Sequence, residues 1–179
     1  MRARLSTGAF VACCALVAAK AGALPKVGEL RPAVTVLDAD DRSFDLRSVN
    51  GKPTLVIYEA KEASTQNEAL KRELSTLAKG DAYRDKVALV PVADLRGYDF
   101  WPAKGFVRDA IRDESKKAGT TIYCDWDGGA ARALGAATGK SSVVLLSRTG
   151  RVLFSAEGSL DEAKRKLLIE TLRAEVAAR

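Results

Sequence analysis

Short apolar runs alternate with amphipathic segments along most of the chain. Continuous apolar or β-branched runs, typical of strands covered on both faces, occur at residues 54–58 (TLVIY), 86–94 (KVALVPVAD), 120–124 (TTIYC) and 142–146 (SVVLL). A short alanine-rich helix is predicted after Gly128, and shorter strands are predicted at residues 33–37, 44–46 and 151–155. Because helical segments separate most of the buried runs, this order predicts an α/β fold with parallel strands at its centre.

Three longer segments carry apolar residues at helical spacing. Thr65 with Glu68 has the spacing of a capping box at the start of the first helix. Ser159 with Glu162 has the same spacing at the start of the last. The positions predicted to face the core are Leu70, Leu74 and Leu77 in the first helix, Phe106, Val107, Ala110, Ile111 and Ala118 in the second, and Leu160, Ala163, Leu167, Leu168, Leu172 and Val176 in the last.

The N-terminal residues have the pattern of a secretory signal peptide. Arg2 and Arg4 precede an apolar run at residues 8–19, and Ala21-Gly22-Ala23 suits a signal peptidase. The run is too short to span a bilayer, and a lipobox ending at Cys13 would leave almost no apolar run before the cysteine. The sequence therefore predicts a signal peptide at residues 1–23, a single domain at residues 24–179, and an exported protein with no transmembrane segment in its mature form.

Composition narrows the chemistry that is open to this domain. Three of the six net positive charges lie within residues 1–23, which leaves +3 for residues 24–179, and no long basic run suggests a nucleic-acid partner. Cys13 and Cys14 belong to the predicted signal peptide, so Cys124 alone remains, and the chain has no histidine. An internal disulfide, Ser–His–Asp and Cys–His nucleophiles, and thiolate or imidazole metal sites are thereby excluded. Residues 38–41 are predicted to form a hairpin turn and not a calcium loop. We expect no metal and no cofactor.

The loop after the first long apolar run is a candidate binding site. Glu59, Lys61 and Glu62 follow this strand, and ligand sites gather at the carboxyl ends of strands in open α/β sheets. Gln66, together with Thr65 and Asn67, offers hydroxyl and amide contacts beside them. The alternative is a solvated loop in which Thr65 only caps the helix.

Residues 98–102 (YDFWP) form an aromatic loop. Tyr98 and Trp101 are candidate binding residues, because such loops dock partners or cover pockets. The alternative, equally consistent with the sequence, is that the rings fold back over the sheet edge. Trp126 is predicted to pack in the core.

Cys124 is the one residue that offers thiol chemistry. Asp125 and Asp127 bring negative charge, which disfavours a thiolate, and no histidine is present to activate the sulfur. A cysteine at a strand end more commonly behaves as a small buried hydrophobe. We therefore predict no catalytic residue, with Cys124 as the alternative.

The strand–loop–helix at residues 51–77 and the hairpin SVVLLSRTGRVLF look like the thioredoxin-like fold used by peroxiredoxins and periplasmic thiol reductases. More specifically, the chain resembles the YtfJ family of bacterial periplasmic proteins through residues 105–108 (GFVR), 114–117 (ESKK), 125–126 (DW), 141–146 (SSVVLL) and 150–152 (GRV). The resemblance implies one thioredoxin-like domain, with a central mixed sheet flanked by helices, in the periplasm. It supplies no activity to transfer.

Two positions depart from the redox members of that fold. Their paired cysteines are matched here by residues 63–66 (ASTQ), and the cis-proline that faces the thiols is matched by Ser141. The sequence therefore favours a non-redox binding or accessory protein whose partner is an unidentified periplasmic protein or small molecule. The alternative is a thiol-dependent oxidoreductase or peroxidase that uses Cys124.

We predict export and cleavage between Ala23 and Leu24, because small residues at Ala21 and Ala23 suit the peptidase and the apolar run cannot remain as an anchor. Mass spectrometry of protein from an expressing bacterium should find a chain that begins at Leu24. A mature chain that retains Met1, or one that begins at a lipidated Cys13, would contradict this.

Overall fold

The computed structural model of the protein describes residues 22–80, 83 and 85–178. The predicted signal peptide lies outside these residues except for its last two positions. No helix among the described residues is long and apolar enough to cross a membrane.

A seven-stranded mixed sheet runs through the described part of the chain, in the order β2-β1-β5-β4-β3-β6-β7. Strands β3, β4 and β5 are parallel, and the other neighbouring pairs are antiparallel. The elements are β1 (Thr35–Leu37), β2 (Ser43–Asp45), β3 (Thr54–Ala60), α1 (Glu68–Ala78), β4 (Ala88–Asp94), α2 (Ala103–Ala118), β5 (Tyr123–Asp125), α3 (Gly129–Leu134), β6 (Ser142–Leu146), β7 (Val152–Glu157) and α4 (Glu162–Ala177). The predicted α/β fold is confirmed, and the predicted strand ends differ from these by up to three residues.

Strand β3 is buried on both faces, as its continuous apolar run predicted. Val56 and Tyr58 point into one core, which contains Leu134 of α3 among others. Leu55 and Ile57 point into the other core, which is filled by side chains of α1 and α4. Helices on both faces therefore fix the strand at the centre of the sheet.

The parallel register brings three strand ends to one edge of the sheet. Ala60 pairs with Asp94, and Asp94 pairs with Asp125, so β3, β4 and β5 end side by side. The segments that follow them, at residues 61–67, 95–102 and 126–128, share this edge. We refer to it as the carboxyl edge.

Both predicted capping boxes are wrong. Helix α1 begins at Glu68, and the side chain of Asn67, at the preceding position, makes no capping hydrogen bond. Helix α4 is capped by Asp161, whose carboxylate accepts a hydrogen bond from the Lys164 amide at 2.8 Å. Tertiary contacts explain both shifts, because Asn67 and Ser159 bond across to other segments instead.

The predicted inner face of α2 is only partly correct. Phe106 is 73% exposed, and Ala110 and Ala118 are also exposed, while Val107 and Ile111 pack inward. Val107 and Ile111 pack on Leu95, Cys124 and Trp126, and this contact leaves the stripe of Phe106 and Ala110 facing solvent. Arg108 and Arg112 lie toward the turn between β1 and β2, where they bond to Asp41 and Asp40. The hairpin turn predicted at residues 38–41 is confirmed.

The inner face of α4 also differs from the prediction. Leu168 and Leu172 are buried as expected, but Leu167 is 56% exposed and Ala163 is exposed. Ile169 occupies the core in their place.

Replacement of Leu70 by alanine should lower the free energy of unfolding by about 2–5 kcal/mol, because the side chain is fully buried between α1 and the sheet. Leu167→Ala is the matched control, with an expected loss below about 1 kcal/mol. Urea unfolding followed by circular dichroism measures both. Equal losses would show that the α4 face is the one the sequence predicted.

Candidate functional site

A group of polar side chains lies at the start of α1, where redox members of the fold place their cysteines. We call it the polar cluster and define it as Glu59, Gln66, Asn67, Lys71 and Ser141. Residues 61–63 form a short 3-10 turn, and a further turn over residues 64–67 leads into α1. The loop before β6 brings Ser141 against this turn.

Ser141 is the buried centre of the polar cluster, with no exposed surface. Its hydroxyl donates to Glu59 Oε1 at 2.7 Å and accepts from Asn67 Nδ2 at 2.8 Å. Its backbone amide donates to Gln66 Oε1 at 3.0 Å. The position matched to the cis-proline of redox members is therefore occupied by a serine whose polar groups are satisfied.

Asn67 joins three segments. Its Oδ1 accepts from the Leu160 amide at 2.9 Å, and its Nδ2 donates both to Ser141 and to the Gly158 carbonyl at 3.0 Å. The side chain is almost fully buried. The start of α1 is thus tied to the loop before β6 and to the segment after β7, a role that the local sequence signals did not reveal.

Glu59 uses both of its carboxylate oxygens. One accepts from Ser141, and the other pairs with the Lys71 ammonium, which also donates to the Ser64 carbonyl at 2.7 Å. The Glu59 side chain is 12% exposed, so little of it can reach a ligand. The ion pair closes the solvent side of the polar cluster.

The predicted site residues do not form one group. Glu59 and Gln66 meet in the polar cluster, where Gln66 Nε2 also donates to the Gly139 carbonyl at 3.0 Å. Lys61 and Glu62 are exposed on the turn beside it. Among the residues that follow β4, Tyr98 packs half-buried against the Leu95, Cys124 and Trp126 group, and Trp101 is 92% exposed.

The polar cluster offers no free reactive group. The hydroxyl of Ser141, both Glu59 oxygens and both Asn67 polar atoms already have partners, so a nucleophile or base would first have to break them. Ala63, the first of the positions matched to the paired cysteines, is fully buried. Within the described ranges, no group of three or more histidine, cysteine, aspartate or glutamate residues is arranged to hold a metal.

Cys124 lies on β5, away from the start of α1, and is 2% exposed. Burial raises the pKa of its thiol to about 11, and Asp38 and Asp41 add to that rise while Arg108 opposes it. The prediction that the cysteine is buried is confirmed. The carboxylates that add to the rise are those of Asp38 and Asp41, in the turn between β1 and β2, and not those of Asp125 and Asp127, as the sequence predicted.

A second buried polar group, missed by the sequence analysis, lies at the carboxyl edge. The Tyr58 hydroxyl donates to Asp125 Oδ2 at 3.0 Å, and Asp125 also accepts from the Ala130 and Ala131 amides. Burial and the neighbouring carboxylates raise the pKa of Tyr58. The only sequence signal for this group was an aspartate at the end of both β4 and β5.

Asp94, next to Asp125 in the sheet, is held by Arg96 through two hydrogen bonds. Burial favours its protonated form, but Arg96 outweighs this and keeps the pKa of Asp94 below its ordinary value. Trp126 is buried as predicted, with the Lys104 ammonium 5.0 Å from the centre of its ring. The Asp94 carboxylate is therefore paired within the protein, as the Asp125 carboxylate is.

Residues 47–175 match the model of a family described as "bacterial protein of unknown function (YtfJ_HI0045)". The chain belongs to this YtfJ family. The match covers most of the chain and confirms the resemblance found in the sequence. No curated protein matches the chain significantly.

Solved structures similar to this YtfJ-family chain share its fold at low sequence identity. An uncharacterized conserved protein from Geobacillus kaustophilus has a TM-score of 0.65 and 16% identity, over 86% of this chain and 84% of that one. A thiol peroxidase from Chromobacterium violaceum has a TM-score of 0.59 and 18% identity, over 84% and 89%. The thioredoxin domain of a thiol-disulfide oxidoreductase from Bacteroides vulgatus has a TM-score of 0.58 and 15% identity, over 82% and 96%. These likenesses establish a thioredoxin-like fold.

Replacement of Asn67 by alanine should lower the free energy of unfolding by about 1–3 kcal/mol, because the buried Leu160 amide and Gly158 carbonyl lose their partner. Thr65→Ala is the control, because Thr65 is exposed and does not cap α1; its effect should stay within about 0.5 kcal/mol. Chemical unfolding measures both. A neutral Asn67→Ala would mean that the polar cluster does not hold these segments together.

Proposed function

We propose that this YtfJ-family protein is an exported, periplasmic binding or accessory protein that uses a thioredoxin-like scaffold without disulfide exchange. The observation that carries the proposal is the polar cluster. Hydrogen bonds among Glu59, Asn67 and Ser141 occupy the place where redox members bring two thiols and a cis-proline together. A closed network of this kind supports a rigid scaffold better than a reactive centre.

The lone thiol is poorly suited to disulfide exchange. The reaction needs an attacking thiolate and a second cysteine to release the mixed disulfide. Because burial raises its pKa to about 11, the Cys124 thiol is almost entirely protonated at pH 7, and the side chain is 2% exposed. No second cysteine exists in residues 24–179 to resolve a mixed disulfide.

The alternative function is a thiol-dependent oxidoreductase or peroxidase that uses Cys124. Its support is the fold shared with a thiol peroxidase and a thiol-disulfide oxidoreductase at 15–18% identity. The two proposals differ in what they require of Cys124. A binding or accessory protein needs Cys124 only to fill its place in the core, whereas a thiol-dependent enzyme needs its reactive sulfur.

The purified protein should neither reduce insulin disulfides nor consume peroxide faster than an ordinary free thiol. Its reaction with an alkylating agent should accelerate up to about pH 11, instead of reaching a plateau near the ordinary thiol pKa, because burial favours the neutral form. The thiol has a higher pKa in the folded protein than in the unfolded chain. At a pH below the pKa of the unfolded thiol, both states are protonated and the free energy of unfolding does not depend on this group. Between that pKa and about pH 11, the free energy of unfolding should fall as pH rises, because only the unfolded chain releases the proton. Stopped alkylation followed by mass spectrometry measures the rate.

Cys124→Ser is the matched variant for cellular function. It should leave any cellular role intact apart from a packing loss of about 1 kcal/mol. A variant with unchanged thermal stability and abundance but a lost phenotype would overturn the non-redox proposal in favour of the thiol enzyme.

A further inference from the structure

Three aromatic side chains project from the turn after β4 and the start of α2. Phe100 is 59% exposed, Trp101 is 92% exposed and Phe106 is 73% exposed. We call these three residues the aromatic surface. Most exposed apolar residues of a folded protein stand singly, so three large rings within seven positions call for an explanation.

The aromatic surface exists because α2 carries two apolar stripes and the fold covers only one. Val107 and Ile111 pack on the group around Cys124 and Trp126. Phe106 and Ala110, one position earlier in each turn, face outward. At 92% exposure, the Trp101 ring stands clear of its neighbours, so the surface projects and does not enclose.

The charges around the aromatic surface are already paired. Lys104 binds Asp99 at 2.6 Å, and Arg108 binds Asp41 at 2.8 Å. Arg112 binds both Asp40 and Asp109. A strongly charged partner would have to compete with these pairs, whereas a neutral, apolar partner leaves them in place.

The three rings of the aromatic surface do not by themselves make up a stable dimer interface. Fully exposed rings of this kind offer about 150–250 Å² each, so the observed exposures correspond to about 450 Å² in total. A stable protein interface buries about 800 Å² on each partner, of which somewhat more than half is apolar, so a dimer would also need polar contacts around the rings, whereas insertion of the rings alone would not. A small projecting surface suits a deformable partner that needs no preformed pocket to receive the rings.

We propose that the aromatic surface inserts into the interfacial region of a zwitterionic lipid bilayer. Tryptophan and phenylalanine rings partition into this region, where apolar burial is combined with access to polar headgroups. Lys104, Arg108 and Arg112 are already paired with carboxylates, so these cations are not free to attract anionic lipid. This inference rests on the proposed binding function in one respect, which is that it names the partner. It would hold even if Cys124 were catalytic.

The test is flotation of the purified protein with phosphatidylcholine vesicles, together with quenching of tryptophan fluorescence by brominated acyl chains. The wild-type protein should float with the vesicles and remain bound in about 0.5 M salt, because apolar insertion is not screened. Trp101 should be quenched while the buried Trp126 is not. The Trp101→Ala variant keeps Trp126 as its only tryptophan and should show almost no quenching of tryptophan fluorescence.

Trp101→Ala and Phe106→Ala should each reduce the vesicle partition coefficient, by about tenfold for Trp101, and the double variant should not float. Leu167→Ala, which removes an exposed apolar side chain from α4, is the control and should bind like the wild type. All proteins are prepared in the predicted mature form, residues 24–179, so the apolar run at residues 8–19 makes no contribution, and thermal unfolding checks that each variant folds.

The proposal is overturned if the wild-type protein does not float, or if the double variant binds as well as the wild type. It is also overturned if binding requires anionic lipid and disappears in salt, or if sedimentation shows a dimer that Trp101→Ala dissociates. None of these outcomes bears on the thiol assays, so failure here is separable from failure of the non-redox proposal.

Discussion

Burial of β3 on both faces is the constraint on which the rest of the structure depends. Val56 and Tyr58 are enclosed from one side and Leu55 and Ile57 from the other, so the strand cannot slip without exposing one core. Its parallel pairing with β4 then fixes where both strands end. Because both faces of β3 are covered, the loops at that edge are where a ligand site is expected in an open α/β sheet.

The polar cluster shows how a scaffold can keep the geometry of a redox fold while its reactive groups are replaced. A buried polar atom without a partner is costly, so the polar side chains that lie at the start of α1 need hydrogen-bond partners. Ser141 and Asn67 provide this pairing, and each satisfies the other. A partly satisfied cluster would destabilise the turn into α1, and a fully satisfied one holds this turn against the loop before β6.

Helix α2 buries only one of its two apolar stripes. Val107 and Ile111 pack on the group around Cys124 and Trp126, while Phe106 and Ala110 face solvent. In this orientation Arg108 and Arg112 bond to Asp41 and Asp40, although partly exposed ion pairs of this kind contribute little energy by themselves. The consequence of this orientation is an outward Phe106, and with Trp101 it gives the protein an exposed apolar surface that its core does not need.

The sequence by itself determined the α/β order, the central strands and the absence of paired cysteines and histidine from residues 24–179. These features follow from local periodicity and residue type, which do not depend on distant partners. Only the tertiary structure decided that Asn67 leaves its helix cap for Leu160, that Tyr58 reaches Asp125, and that Asp38 and Asp41 lie near the thiol of Cys124. Each of these contacts joins residues that are far apart in the chain. The sequence around a residue does not change with the partner that folding brings near it, so it cannot predict that partner.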